Sequence, residues 1–318
     1  MKITVDIFSG FLGAGKTMLI KKLLTEDAYN KNTVIIENEF GEVSIDGEIL
    51  KESNIEIKEI NSGCICCPVS GKFDEAVLEV INKYNPENII IEPSGVAKLS
   101  EIINILTNIK FSHMIEIRNV FTLIDVKNYE NYIKNFKEFY VDQIKNAHKI
   151  VLSRTQFENK AYIDTVKKSI KKNNSNADII YKPWDELKSI DFMKENTINS
   201  IKEYKNIVKS VSKVNSALIK KNTNNHRADD IFESYPIHMD KFMSADELKS
   251  KFEFISQTNV YGNIIRAKGI IENDRGLYFQ FDYVPKEFKI REIKWSNKKV
   301  ISIIGSSLDK KNLDNLFK

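Results

Sequence analysis

ITVDIFSGFLGAGKTMLIKKLL, residues 3–24, decides the fold. Residues 3–8 are an apolar, β-branched run of strand type, and residues 16–24 have the spacing of an amphipathic helix. Between them Gly10-Phe11-Leu12-Gly13-Ala14-Gly15-Lys16-Thr17 fits the Walker A pattern, in the strand-then-helix context that gives the pattern meaning. The glycines let backbone N–H groups along Gly10, Gly13, Ala14 and Gly15 turn inward around phosphate oxygens, at a helix N-terminus whose dipole already favours anions. Lys16 is placed to reach the β- and γ-phosphates of a nucleotide, and Thr17 to ligate Mg²⁺.

The same rhythm continues outward. Short apolar runs recur at 33–36, 55–60, 88–91, 120–124, 149–152 and 178–181, with helical stretches at 72–83, 140–146 and 159–172 among them. This alternation predicts an α/β fold, and the continuous Ile/Val runs predict strands buried on both faces. Residues 1–204 are read as a P-loop NTPase domain, a mostly parallel sheet with flanking helices. Residues 205–230 turn to Lys, Asn and Ser, the composition of a linker. Residues 231–318 hold a strand at 235–239, a capping box at Ser244 and Glu247, four strands at 264–271, 277–283, 290–295 and 300–304, and a last helix, a small C-terminal α+β domain.

Three further segments fall near predicted strand ends. The run Ile89-Ile90-Ile91-Glu92-Pro93-Ser94-Gly95 delivers a carboxylate and a glycine to the C-terminal edge of the sheet, where open α/β folds bind ligands. Glu92 can orient the Mg²⁺ shell or an attacking water, and Gly95 can donate its N–H to a γ-phosphate. Cys64, Cys66 and Cys67 are the three cysteines of the chain and lie within four residues, too tight for a structural disulfide. Thiolates in this grouping suit Zn²⁺ or Cu(I), and a tetrahedral Zn²⁺ site needs a fourth ligand from elsewhere. Upstream, Glu37-Asn38-Glu39-Phe40-Gly41-Glu42 is an acidic loop from which Glu37 or Glu42 can supply an oxygen ligand. The four histidines, His113, His148, His226 and His238, show no ligand spacing.

Composition narrows the classes. The chain has 318 residues, 29% charged and 42% hydrophobic, which excludes a disordered or fibrous protein. Lysine and arginine number 48 against 44 acidic residues, far short of the excess that phosphate-backbone binding demands, so no nucleic acid partner is expected. No run of eighteen apolar residues occurs and no signal-peptide core precedes the first strand, so a cytoplasmic protein without a membrane partner is expected.

Taken in order, GFLGAGKT, ENEFGE, NSGCICC and EPSG resemble the CobW-type P-loop GTPases, a group of metallochaperones and metal insertases. The likeness extends to Ile265-Arg266-Ala267-Lys268-Gly269 in the tail and covers nearly the whole chain. It implies a metal-binding GTPase whose Cys64, Cys66 and Cys67 bind Zn²⁺ or Co²⁺, with Glu37 and Glu42 on positions that contribute metal ligands. GTP, bound with Mg²⁺, would control release of the ion to a metal-requiring client protein. Slow hydrolysis stimulated by a partner is implied, in keeping with a sequence that offers no obvious arginine finger beside the switch segments; Arg118 and Arg154 stay open as candidates. Two departures stand out. Where the family usually shows Asn-Lys-x-Asp, this chain has Ser153-Arg154-Thr155-Gln156, and Gln156 offers one carbonyl acceptor plus a donor where an Asp would accept twice from guanine. Ser153, Arg154 and Gln156 are the expected base-side contacts, with relaxed guanine selectivity. The second departure is the absence of a histidine-rich segment between the domains, so metal would be handled stoichiometrically at the cysteine loop.

Two other readings compete. A P-loop kinase for a small metabolite would use Glu92 or an acidic-loop residue as base. A metal or redox sensor with a degenerate nucleotide site would account for the Ser153–Gln156 segment. A metal bridging two cysteine loops would make a homodimer.

Overall fold

A computed structural model describes residues 2–29, 32–37, 56–59, 71–194, 228–296 and 299–318. Along these the elements are β1 (Ile3–Gly10), α1 (Lys16–Thr25), β2 (Thr33–Glu37), β3 (Glu56–Glu59), α2 (Gly71–Tyr84), β4 (Asn88–Glu92), α3 (Leu99–Leu106), β5 (Ile115–Asp125), α4 (Tyr129–Asn135), α5 (Lys137–Lys145), β6 (Lys149–Ser153), α6 (Lys160–Asn173), β7 (Asp178–Ile180) and α7 (Ser189–Met193). There follow α8 (Ala228–Ile231), β8 (Glu233–His238), α9 (Ala245–Ser256), β9 (Asn263–Glu272), β10 (Tyr278–Val284), β11 (Glu287–Ile293), β12 (Val300–Ser306) and α10 (Lys310–Phe317). Residues 205–227 of the expected linker lie outside the described residues.

The first seven strands form one sheet of order β3-β2-β4-β1-β5-β6-β7 in which every pairing is parallel. The apolar runs of β2, β4 and β6 are buried on both faces, as expected of a sheet covered by crossover helices, while the edge strand β7 is partly exposed. Val5 and Ile7 pack with Phe73 and Val77 of α2 and with Leu99 and Ile102 of α3. Phe8 looks the other way, stacking on Phe121 at 4.7 Å and packing with Leu19, Ile20 and Leu23 of α1. Each such fully buried side chain contributes about 1.5–3 kcal/mol relative to exposure. The order sets β1 between β4 and β5, so the segment after β1 is flanked by the carboxyl ends of both neighbours.

β5 begins at Ile115, earlier than the predicted 120, because a buried carboxylate recruits the polar residues Arg118 and Asn119 into the strand. The β1–β5 register shifts between Val5 and Asp6: Val5 pairs with Ile117, Asp6 with Asn119, and Arg118 is the extra residue. Asp6 is buried and accepts from the Asn119 backbone N–H and side-chain amide, each at 3.0 Å, and from the Tyr29 hydroxyl at 2.7 Å. Arg118 closes the set with Nη2 at 2.5 Å and Nε at 3.2 Å. A carboxylate so deep in a sheet is tolerable only with this many donors.

The last five strands form an antiparallel sheet of order β11-β10-β9-β12-β8. One face, carrying Ala267, Phe281, Tyr283, Ile301 and Ile303, packs with Leu248 and Phe252 of α9 and Leu313 and Phe317 of α10. Ile265, Ile304 and Phe232 instead join a cluster with Phe11, Tyr132, Phe136 and Tyr140, which belong to the first sheet's layer. Phe11, inside the phosphate loop, lies 4.6 Å from Tyr132 and 5.9 Å from Phe232, centroid to centroid. The loop is thereby held from beneath by aromatic rings of both domains.

Candidate nucleotide site

Three glycines shape the loop after β1. Gly10, Gly13 and Gly15 have φ of +142°, +71° and +100°, left-handed values at which a side chain is strained. A Cβ on Gly10 would also stand 2.6 Å from the Leu123 carbonyl oxygen. Gly15 is the residue capping α1 and, having no side chain, leaves the first turn of that helix without a side-chain acceptor. Ala14 is buried and its N–H donates to the Phe11 carbonyl at 3.2 Å.

Lys16, Thr17 and Glu92 meet at the centre. Lys16 is buried and its Nζ lies 4.0 Å from Glu92 Oε1, an ion pair with both partners out of water. The Thr17 hydroxyl donates to the same carboxylate, 3.0 Å from Oε1 and 3.2 Å from Oε2. Its single proton is committed to Glu92, so its lone pairs are the face it offers a cation. Three left-handed glycines, a buried lysine and a helix start without a side-chain cap fit a nucleotide's phosphates, and the Thr17 hydroxyl beside Glu92 fits Mg²⁺.

Gly95 backs onto the loop: a Cβ there would lie 2.6 Å from the Leu12 nitrogen. Its carbonyl and that of Ala97 each accept at 3.0 Å from the buried side chain of Gln143, a positioning residue that the sequence did not mark. Asp125 was likewise missed, although an apolar strand ending in a carboxylate is the signal that picked out Glu92. It is buried and accepts from the Lys127 N–H at 3.0 Å and the Asn128 amide at 2.7 Å, with Arg154 Nη1 at 3.3 Å.

The predicted base-side residues separate. Ser153 ends β6, buried, 3.4 Å from the Ile124 carbonyl it donates to. Gln156 is exposed in a 3₁₀ turn over Thr155–Phe157. Arg154 turns toward the phosphate loop: its Nη1 donates to the Gly13 carbonyl at 3.0 Å, and its Nε pairs with Glu287 of the second sheet. Burial pushes the Glu287 carboxyl up, but bonds to Lys289 and Arg154 outweigh it and hold its pKa below the ordinary carboxylate value. Trp184, also unmarked in the sequence reading, donates to the Leu152 carbonyl at 3.0 Å, and its ring would meet a Cβ on Gly15 at 3.2 Å. Arg118 is engaged with Asp6 within the sheet rather than at this edge.

The β10–β11 turn docks on the same loop. Val284 Cγ1 would lie 2.2 Å from a Cβ on Gly13, the Pro285 carbonyl accepts from Asn128 at 3.2 Å, and Lys286 donates to the Lys127 carbonyl at 3.1 Å. With Glu287, four consecutive residues touch the first domain.

Of the expected metal ligands, Glu37 is buried at the end of β2 and pairs in register with Glu92 and with Glu59. Glu42, Cys64, Cys66 and Cys67 lie outside the described residues. Among the described residues no group of three or more His, Cys, Asp or Glu side chains is arranged to hold a metal, and no helix is long and apolar enough to cross a membrane.

A central phosphate loop, a parallel sheet and a carboxylate at the end of the adjacent strand define a P-loop nucleotide-binding protein. More narrowly, the model of the CobW/HypB/UreG nucleotide-binding domain matches residues 4–181, more than half of the chain, and the chain belongs to that family. The zinc chaperone YjiA of Escherichia coli is 32% identical over 169 residues, 50% of this chain and 51% of that protein. The zinc-regulated GTPase metalloprotein activator 1 of Schizosaccharomyces pombe is 24% identical over 320 residues, 91% of this chain and 76% of that protein. The matched stretch spans about half the length of the Escherichia coli relatives. A crystal structure of Zn(II)-bound YjiA GTPase from E. coli aligns over 100% of this chain and 98% of its own at 19% identity and TM-score 0.44.

Proposed function

We propose that this protein is a cytoplasmic GTPase that couples binding and slow hydrolysis of GTP to delivery of Zn²⁺ or Co²⁺ to a metal-requiring client protein. The observation that carries the reading is the meeting of Lys16 and Thr17 at the Glu92 carboxylate, with Glu37 beside Glu92 in register. The strand that pairs with β2 on its other side ends at Glu59, and the sequence reaches Cys64 five residues later. Glu92 of the nucleotide site and Glu37 of the candidate metal set therefore end neighbouring strands. Matched relatives are named zinc chaperones and a GTPase metalloprotein activator.

Mg²⁺ held by Thr17 would supply charge neutralisation at the phosphates. Lys16 would bind the β- and γ-phosphate oxygens, the loop glycines would donate backbone N–H groups, and Glu92 would orient the Thr17 hydroxyl. Gly95, fixed by Gln143, would place its N–H toward the terminal phosphate. Ser153, Arg154 and Gln156 remain the proposed base side, with Arg154 also bracing the loop. Cys64, Cys66 and Cys67 with Glu37 or Glu42 would hold the transferred ion.

Chelator competition on the reduced, metal-free protein tests the coupling. Zn²⁺ and Co²⁺ affinity are measured without nucleotide and with non-hydrolysable analogues of GTP and ATP. A shift with the GTP analogue alone supports the reading; an equal shift with both means that guanine selectivity is lost. Cys66→Ala is expected to abolish tight metal binding while leaving nucleotide binding intact. Metal affinity indifferent to nucleotide and to Cys66 would sink it.

A further inference from the structure

We propose that the C-terminal sheet completes the phosphate site, with Arg266 and Lys268 of β9 and Lys289 and Arg291 of β11 supplying cations to the nucleotide's phosphates from the side opposite the loop. The inference rests on reading the phosphate loop as a nucleotide site. A cavity of about 660 Å³ lies between the two domains, walled on one side by Gly13, Lys16, Thr17 and Glu92 and on the other by these four residues.

The sheet's alternation explains how they come to face the loop. The face carrying Ala267, Phe281 and Tyr283 is committed to α9 and α10, so the intervening positions point toward the first domain. Register then aligns them: Asp282 stands opposite Lys268 on one side and Lys289 on the other, and Gln280 stands opposite Arg291. Arg266 Nη2 is 2.8 Å from Asp282, and Arg291 Nη2 donates to Gln280 at 2.7 Å, contacts that fix both guanidinium groups on the sheet.

Charge argues for an anion. Over the whole chain basic and acidic residues nearly balance, 48 to 44, yet among the described residues seven basic side chains and three carboxylates line this cavity. The sheet's cations face Lys16 and Arg154 across this cavity, where the three carboxylates are already paired with Lys16, Arg266, Arg154 and Lys289, so the surplus of positive charge favours an anion between the two walls. The anion is expected at the phosphate end of the nucleotide: Lys16, Thr17 and Glu92 are in the walls, whereas of Ser153, Arg154 and Gln156 only Arg154 is. The docked β10–β11 turn keeps the sheet in place, through Glu287 on Arg154 and Lys286 on the Lys127 carbonyl.

The test is equilibrium binding of a non-hydrolysable GTP analogue and of GDP, both with Mg²⁺, to the full chain. Wild type and Lys16→Ala decide the underlying reading: no Lys16-dependent binding of either nucleotide overturns it, and the proposal with it. If wild type binds, Arg266→Gln combined with Arg291→Gln is expected to weaken the triphosphate about tenfold or more and GDP less than about threefold, since charge-assisted contacts are lost at the terminal phosphate. Arg266→Lys with Arg291→Lys is expected to restore most of the affinity. Because Arg266 also pairs with Asp282, Lys289→Gln with Arg291→Gln gives a second reading that leaves Arg266 and Asp282 intact, from two exposed positions on an edge strand, with a loss of about threefold or more for the triphosphate. Triphosphate affinity unchanged in both Gln variants, or an equal loss of di- and triphosphate, would overturn the proposal while leaving the phosphate-loop reading intact.

Discussion

The two sheets of this molecule use burial in opposite ways. Strands β2 and β6 of the parallel sheet are buried at every position, so that sheet can act only at its carboxyl edge, where Gly10, Glu92 and Asp125 emerge. The antiparallel sheet buries one face against two helices and, away from β12 and the Ile265–Ile304 contact with the first domain, turns charged residues of the other toward the phosphate loop. A doubly covered sheet concentrates chemistry at the loops that leave it, whereas a singly covered sheet can offer a surface. Putting the edge of the first against the face of the second gives a site neither would form alone.

The largest effect expected to break this contrast is at Asp6. Asp6→Ala strands Arg118 and the Asn119 donors inside the parallel sheet and is expected to cost about 3–5 kcal/mol, read as a fall in denaturant midpoint. A loss below about 1 kcal/mol would mean that the sheet interior tolerates a cavity there. Next is Gly95→Ala, whose new methyl would meet the Leu12 backbone at 2.6 to 2.9 Å. It is expected to cost about 1–3 kcal/mol and to weaken nucleotide binding by displacing the phosphate loop. Unchanged affinity would detach Gly95 from the loop.

His148 sharpens the comparison by pH. Burial, aided by the neighbouring Lys149 charge, lowers its pKa from 6.5 to about 4. The unfolded chain therefore takes up the proton first, and stability from this residue is complete above about pH 6.5 and falls as pH drops toward 4. His148→Gln is expected to flatten that acid limb in a series of melts between pH 7 and 4. The smallest effect is at Ser244, whose side chain caps α9 by accepting from the Glu247 N–H at 3.1 Å. Ser244→Ala is expected to remove about 1 kcal/mol. If calorimetry shows one transition that moves with both Ser244→Ala and Asp6→Ala, the two sheets unfold as a unit; two separable transitions would confine each loss to its own layer.

Much of this is legible in the sequence. The inner strands β2, β4 and β6 follow from apolar runs, because a strand buried on both faces must be apolar throughout, whereas the edge strands β3 and β7 mix charged with apolar residues. The phosphate loop was legible because it demands glycine at particular places. α3 was not: it follows Pro93, Ser94 and Gly95, which read as a turn, and Lys98 caps it without a side-chain bond. The early start of β5 was hidden because Arg118 and Asn119 are poor strand residues by themselves and enter the strand only through Asp6, 112 and 113 residues away in sequence. β11 begins at Glu287 rather than at residue 290 because the turn before it is tighter than its composition suggests. Arg154 lies beside the phosphate loop, but its ties to Gly13, 141 residues away, and to Glu287, 133 residues away, join segments that no local pattern pairs.

That tight turn has a consequence for the order of assembly. Lys286 sits at its second central position with φ +71°, where glycine is the easier residue and lysine costs about 1–2 kcal/mol. Its ammonium donates to the Lys127 carbonyl of the other domain, so the compensating contact exists only after docking. An undocked hairpin would open readily at this corner, and the turn becomes a closing event rather than a nucleus for folding. A folding φ-value near zero at Lys286 is the expected signature, and it would mean that the C-terminal layer acquires its final shape on the phosphate loop it covers.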